Sequence, residues 1–272
     1  MSLTFTILGC GSSGGVPRVG QGWGACDPNN PKNRRRRCSI LVERTGENGA
    51  KTQVLVDMSP DLREQLLDLD IGRLDGILLT HSHADHIHGI DEIRPLVIMT
   101  RRKIDLYMDA ATSTVVRANF AYIFQTPPGS HYPALLNEHR LVTYQPVTIN
   151  GPGGPLDAVP FQLGHGEIDT LGFRFGTVAY SPDLNAVPIE SLGFLEGLDL
   201  WIVDALRYTP HPSHLSLPET LDWIAKLRPK RTILTNLHSD LDFARLKSEL
   251  PGNVEPAFDG MRICTRIAPV NF

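Results

Sequence analysis

Cysteine is scarce in this chain: Cys10, Cys26, Cys38 and Cys264 are the four in 272 residues, and no two form a C-x-x-C pair. A disulfide-built scaffold is thereby excluded, and reduced, mostly structural thiols are expected. Long hydrophobic runs are also missing, none approaching the roughly 18 to 20 residues that cross a bilayer, so no membrane segment is expected. The opening stretch MSLTFTILGCGSS has no basic region and passes straight into strand-like alternation, unlike a secretory signal; a cytoplasmic location is the expectation. Positive charge is not in excess. With 26 Lys and Arg against 30 Asp and Glu, the formal charge of -4 provides no general attraction to polyanions, and an extended nucleic-acid surface is not expected. The local exception, Arg34 to Arg37, reads as a solvated strand edge, with a phosphate-gripping role as the alternative. Repeats, linkers and low-complexity segments are absent too; Asn150 to Pro155, NGPGGP, reads as a turn, and a single domain over residues 1–272 is expected.

Hydrophobic patterning is average for a soluble protein, at 41% hydrophobic and 21% charged residues, and it resolves into short strands with helices between them. Strands are predicted at Leu3 to Leu8, Ser39 to Glu43, Gln53 to Val56, Gly76 to Thr80, Ile104 to Met108 and Thr143 to Ile149. Others are predicted at Ala158 to Leu163, Gly172 to Ala179, Leu200 to Val203, Thr232 to Thr235 and Met261 to Ile267. Helices are predicted at Asp61 to Asp70, His86 to Met99, Ala110 to Phe124, Pro188 to Leu192, Leu217 to Leu227 and Asp242 to Glu249. This interleaving is α/β or α+β layering.

Gly9, Gly11 and Gly14 spell G-x-G-x-x-G after an apolar run, the pattern of a dinucleotide loop. Such a loop needs a helix opening directly off the glycines to hold a pyrophosphate. The chain instead continues as VPRVGQGWGACDPNNPKN from Val16, too rich in Gly, Pro and Asn to carry one. The dinucleotide reading is therefore set aside.

Stronger chemistry lies in HSHADH, residues 81–86, directly after the buried-strand pattern DGILLT. A strand end, a tight loop and a helix start let His81, His83, Asp85 and His86 converge, and three imidazoles with a carboxylate are common ligands of a divalent transition metal. H-x-H-x-D-H resembles the signature of the metallo-β-lactamase superfamily, whose fold is a four-layer αββα sandwich. His165 in FQLGHG, Asp183 in AYSPD and His238 in TILTNLHSD come in the order in which that fold supplies its remaining ligands. The resemblance implies two divalent metal ions, Zn or Mn: one on His81, His83 and His165, one on Asp85, His86 and His238, with Asp183 shared. LGCGSSGGVPR, LVDMSPDLREQLL, HSHADHIHGID and HPSHLS narrow it to the PhnP-like cyclic phosphodiesterase branch related to tRNase Z. By that likeness Gly9 to Gly15 is the first loop at the rim of the metal site, where backbone or substrate approaches closely. Members of the branch often carry several cysteines after this loop as a structural zinc site; here only Cys26 and Cys38 remain, and none is assigned.

The implied activity is hydrolysis of a small cyclic phosphate or nucleotide-like phosphodiester by a hydroxide bridging the metals. His214, in an H-x-[ST]-like setting, would protonate the leaving alkoxide, with His211 as its rival; Asp85 and Asp183 complete the catalytic set. Asp57, at the end of QVLVD, is expected to orient a ligand histidine, and Asp204 to do the same less strongly. His88 reads as a supporting or packing residue, and His131 and His139 as surface residues of a segment bordering the pocket. A thiolester or lactone hydrolase of the same fold is the alternative, although the segment after His238 leaves little room for the helical extension of glyoxalase-like members. A metal-binding module without turnover would be free to lose Asp183 and His214. Neither a membrane partner nor an extended nucleic-acid surface is expected; oligomeric state is left open, a homodimer being the commonest closed assembly.

Overall fold

The structure, a computed structural model, describes residues 2–266. Its strands run in chain order β1 (Ser2–Gly9), β2 (Ser39–Thr45), β3 (Lys51–Val56), β4 (Gly76–Leu78), β5 (Ile104–Met108), β6 (Leu136–Arg140) and β7 (Val147–Ile149). They continue as β8 (Leu156–His165), β9 (Ile168–Phe175), β10 (Val178–Ser181), β11 (Leu200–Asp204), β12 (Arg231–Thr235), β13 (Val254–Pro256) and β14 (Arg262–Arg266). The α-helices are α1 (Leu62–Leu67), α2 (Ala84–Ile87), α3 (Arg94–Thr100), α4 (Ala110–Phe124), α5 (Leu217–Leu227) and α6 (Phe243–Glu249). Two mixed sheets result, ordered β14-β1-β2-β3-β4-β5-β6 and β13-β12-β11-β10-β9-β8-β7.

Strand alternation builds four layers from these sheets. Phe5, Ile7, Ile40, Val42, Val54 and Val56 of the first sheet meet Phe173, Tyr180, Ile202 and Ile233 of the second in one core between the sheets. Their neighbours point the other way, as the two-residue period requires. Leu8, Leu41 and Leu55 pack with Leu62, Ile87, Leu96 and Val116 under α1 to α4, whereas Trp201, Val203 and Leu234 pack with Leu217, Ile224 and Leu246 under α5 and α6. This is the αββα arrangement the resemblance implied. Trp201 is fully buried in the outer layer and donates its indole N–H to Ser181 Oγ at 3.1 Å. Trp201→Ala is expected to lower unfolding free energy by about 3–5 kcal/mol. The check is the urea midpoint, which should fall without a change in m.

Some elements depart from expectation. Gly172 to Ala179 is not one strand: a hairpin at Gly176, whose φ is +61°, splits it into β9 and β10. His86 to Met99 breaks into α2, a 3-10 turn at Ile90–Ile93 and α3, and Pro188 to Leu192 is a 3-10 turn at Ile189–Phe194. Thr143 to Ile149 is strand only from Val147, and β6 and β13 were not anticipated, because LNEHR and VEP are short and lack an apolar run. Ile267 lies outside the described residues. Among those residues, no helix is long and apolar enough to cross a membrane.

Strand direction sets the position of the site. β3 is parallel to β4, β10 is parallel to β11 and β11 to β12, while β8 and β10 both run antiparallel to β9 and so point the same way. Asp57, His81, His165, Asp183, Asp204 and His238 all lie at or just past the C-terminal ends of these strands, where open α/β sheets generally form their clefts.

Candidate metal centre

HSHADH bridges β4 and α2. The chain stays extended until His83, which takes the N-cap position with φ -64° and ψ 149°, and the first helical turn then swings Asp85 and His86 back toward His81. His81 and His86 are each 1% exposed, Asp85 is half-buried and His83 is exposed.

Asp183, just past β10, is the hub of the cluster. Its carboxylate lies 3.3 Å from His86 Nε2, 3.7 Å from His165 Nε2, 3.9 Å from His214 Nε2 and 4.0 Å from His81 Nε2. Asp85 Oδ2 is 3.5 Å from His86 Nε2, and His83 Nδ1 is 3.2 Å from His165 Nε2. Three groups bring their ligand atoms within 4.8 Å of one another: His81, His83 and His165; His81, His86 and Asp183; and His165, Asp183 and His214.

The remaining ring nitrogens are tied from behind. His86 Nδ1 donates to Asp57 Oδ2 at 2.7 Å, and Asp57 also accepts the Thr80 N–H and hydroxyl, both at 2.8 Å. With its own proton committed to Asp57, the Thr80 hydroxyl accepts from His81 Nδ1 at 2.9 Å. His165 Nδ1 donates to the Ser213 carbonyl at 2.6 Å. Each of these rings therefore carries a proton on Nδ1 and turns Nε2 inward, the orientation in which imidazole binds metals. His81 Nε2, His86 Nε2 and Asp183 Oδ1 are buried without a hydrogen-bond partner. Orphaned buried polar atoms are rare and costly. Several converging on one space form a donor set that fits divalent cations.

Charge in the cluster points the same way. Burial disfavours a charged His86, but Asp183, Asp85 and Asp57 outweigh it and hold its pKa well above the ordinary value. Burial likewise opposes ionisation of Asp183, yet His86, His214 and His81 keep it well below the usual carboxylate range. At His81, burial and the neighbouring His86 lower the pKa and keep the ring neutral. The buried carboxylates call for positive charge at the centre of the cluster, which a proton on His86 supplies and a bound cation would supply in its place.

Asp57→Asn keeps the size of a residue whose φ of +66° suits Asp or Asn, but weakens the grip on His86 and Thr80. Divalent-metal affinity is expected to fall about 10–100-fold, measured by competition with a chromophoric chelator.

His214 belongs to a second hydrogen-bonded pair. Its Nδ1 donates to Asp204 Oδ2 at 2.7 Å, which also accepts the Leu184 N–H at 3.2 Å, leaving Nε2 toward Asp183. Burial opposes a charged His214, but Asp204 and Asp183 raise its pKa to about 9, and burial pushes the Asp204 carboxyl up to about 7. Both shifts favour keeping a proton on the pair. His211 lines the same cavity but accepts the Ser213 hydroxyl and amide at Nδ1. His238 also lines it: Asp240 accepts from its Nδ1 at 3.1 Å, and Nε2 accepts from the Arg18 guanidinium. His88 packs its ring edge on Phe120, His131 is exposed, and His139 stands in β6, stacked on Tyr107 and paired with Asp105, not beside the pocket.

The arginine run corrects its sequence reading. Arg35 is no solvated edge: it is 2% exposed and donates to the His238 and Leu241 carbonyls at 3.1 and 2.6 Å, fastening the His238 loop. Arg36 bridges Asp68 and Asp259, and Arg37 pairs with Asp61. The glycine loop is likewise a seam: Gly11 bridges to both Arg37 and Leu237, and a Cβ on Gly9 would lie 2.0 Å from the Arg37 carbonyl. Sequence reasoning missed Thr80, Ser213 and Arg18, whose roles here run through a hydroxyl, a carbonyl and a loop crossing that no motif encodes.

A family model described as "Beta-lactamase superfamily domain" matches residues 52–236. The chain belongs to the metallo-β-lactamase superfamily. Within it, the chain is 35% identical to a solved diphosphatase of the PhnP family, covering 97% of this chain and 98% of that one with a TM-score of 0.86. It is 30% identical to an octanoyltransferase of Porphyromonas gingivalis over 94% of its own length, and spans 50% of that protein. Human short-form tRNase Z superposes with a TM-score of 0.63 at 19% identity, covering 96% of this chain and 98% of that one, a likeness of fold. The metallo-β-lactamase assignment and its PhnP-like branch agree with the αββα layers and the buried His and Asp cluster.

Proposed function

We propose that this protein is a metal-dependent phosphodiesterase acting on a small phosphodiester, such as a cyclic phosphate or a nucleotide-like ester. The single observation that carries the reading is the His214–Asp204 pair, whose free Nε2 is aimed toward Asp183 in a cluster of inward-facing Nε2 atoms. His81, His83 and His165 would hold one divalent cation, Zn or Mn, and Asp85, His86 and His238 a second, which would take the place of the Arg18 guanidinium at His238 Nε2, with Asp183 shared between them. When bound, such cations neutralise phosphoryl oxygens and lower the pKa of a coordinated water. His214 holds its proton at Nε2 while Asp204 fixes the ring through Nδ1, and that proton passes to the departing alkoxide. Leu206 and Ser213 help to enclose a cavity of about 290 Å3, a size suited to a small molecule.

The full chain, loaded with Zn or Mn, is expected to hydrolyse bis(p-nitrophenyl) phosphate and to leave a thiolester untouched. Turnover of the thiolester alone would move the assignment to thiolester or lactone hydrolysis.

A further inference from the structure

A separate cleft lies at the opposite end of β4 from the metal cluster. Asp75 precedes that strand and His81 follows it, so the strand stands between the two. The cleft, of about 400 Å3, is formed by the residues leading into β4, the turn from α3 into β5 and Asn150 just after β7. Leu74, Leu96 and Ile104, each at most 8% exposed, provide its apolar floor, and Arg73, Arg102 and Lys103 line it as well.

Its acids are engaged elsewhere, whereas two of its cations are not. Asp75 Oδ2 accepts the Gln53 N–H at 2.8 Å and the Arg73 guanidinium at 3.2 Å, and a Cβ on Gly151 would fall 2.8 Å from the same oxygen. Asp105 accepts from Asn137 Nδ2 at 3.2 Å and pairs with His139 at 2.9 Å. Arg73 is tied to the Lys51 carbonyl at 2.6 Å, which fixes its guanidinium at the cleft. Among the described residues, Arg102 and Lys103 make no hydrogen bond or salt bridge, and Arg102 meets Asp75 only through its field. Cations just past a helix ordinarily bond its last carbonyls, but these two leave α3 alone. Arg101, which ends α3, is left-handed at φ +53° and ψ +31°, a conformation that costs a residue with a side chain. That turn delivers the next two residues to the cleft. Two unpaired cations and a tethered guanidinium can hold phosphoryl oxygens by charge-assisted hydrogen bonds, while the apolar floor takes the hydrocarbon of the same molecule.

We infer that this cleft binds a small organic phosphate at a site separate from the metal centre, with Arg102 and Lys103 on the phosphoryl oxygens and Leu74, Leu96 and Ile104 under the organic part. The site does not depend on what the cluster hydrolyses.

Phenylphosphonate, which carries the charge and the apolar ring but no ester to cleave, is the probe on the metal-loaded full chain. Calorimetry should show binding to the wild-type chain that weakens by at least about 10-fold in the double variant Arg102→Gln, Lys103→Gln, because charge-assisted hydrogen bonds are lost. The charge-conserving pair Arg102→Lys, Lys103→Arg should stay within about 3-fold of wild type. Inhibition of bis(p-nitrophenyl) phosphate turnover reads binding at the cluster, and its Ki should be the same in all three chains. Equal turnover without inhibitor shows that the variants are folded. Calorimetric binding that is unchanged in the Gln double variant overturns the inference. So does a loss of binding matched by an equal rise in Ki, since the two cations would then act at the metal centre.

Discussion

Asp183→Ala is expected to abolish retention of divalent metal through gel filtration and to lower phosphodiester turnover by at least about 1,000-fold, the upper range for losing one electrostatic element of a site. Asp183 is 3% exposed and stands within 4.0 Å of Nε2 atoms from His81, His86, His165 and His214. Those four rings come from three segments of the chain, since His81 and His86 share the 81–86 hexapeptide, and the carboxylate is the group they share. Its removal leaves His86 with Asp85 and Asp57 alone, and takes from the cluster the acid that stays ionised most firmly. Metal content by elemental analysis and kcat on bis(p-nitrophenyl) phosphate are the two readouts. A variant that keeps both would show that cations and substrate gather elsewhere.

The second large effect separates two roles for one ring. His214 could serve as a ligand, since it groups with His165 and Asp183, or as the acid that the Asp204 pairing suits. For the acid role, His214→Ala should cut kcat on an alkyl phosphodiester by about 100- to 10,000-fold with metal content unchanged. The deficit should shrink for a p-nitrophenyl ester, because an acidic phenol departs as the anion and needs little protonation. Asp204→Asn should give a smaller loss of the same kind, since the ring stays in place but its preferred tautomer is no longer enforced. Loss of metal in His214→Ala, with equal deficits on both esters, would assign the ring to coordination.

How much of this was legible in the chain differs from residue to residue. β1, β2, β3, β11 and β12 were readable because buried strands show apolar runs, and α5 because LPETLDWIAKL repeats apolar residues at helical spacing. β13 was not, since three residues carry no period. Asp57 and Asp204 were legible as acids at strand ends, and each does hold a histidine through Nδ1. Arg35 misled because a run of four like charges ordinarily faces water; here it runs through a seam between the sheets, and the carbonyls that receive Arg35 come from residues 238–241.

By itself, the sequence determined the metal-binding character of residues 81–86 and the layered α/β class, since ligands within two turns of chain and apolar periods are local properties. Only the tertiary structure decided which lone pairs face inward, because the Ser213 carbonyl and the Thr80 hydroxyl that orient His165 and His81 take up their directions through folding. It also decided that the glycine loop packs as a seam between Arg37 and Leu237, where a Cβ on Gly9 would meet the Arg37 carbonyl. The physical reason is common to both: hydrogen-bond direction and steric clearance are set by how groups meet in three dimensions, and neither leaves a pattern along the chain.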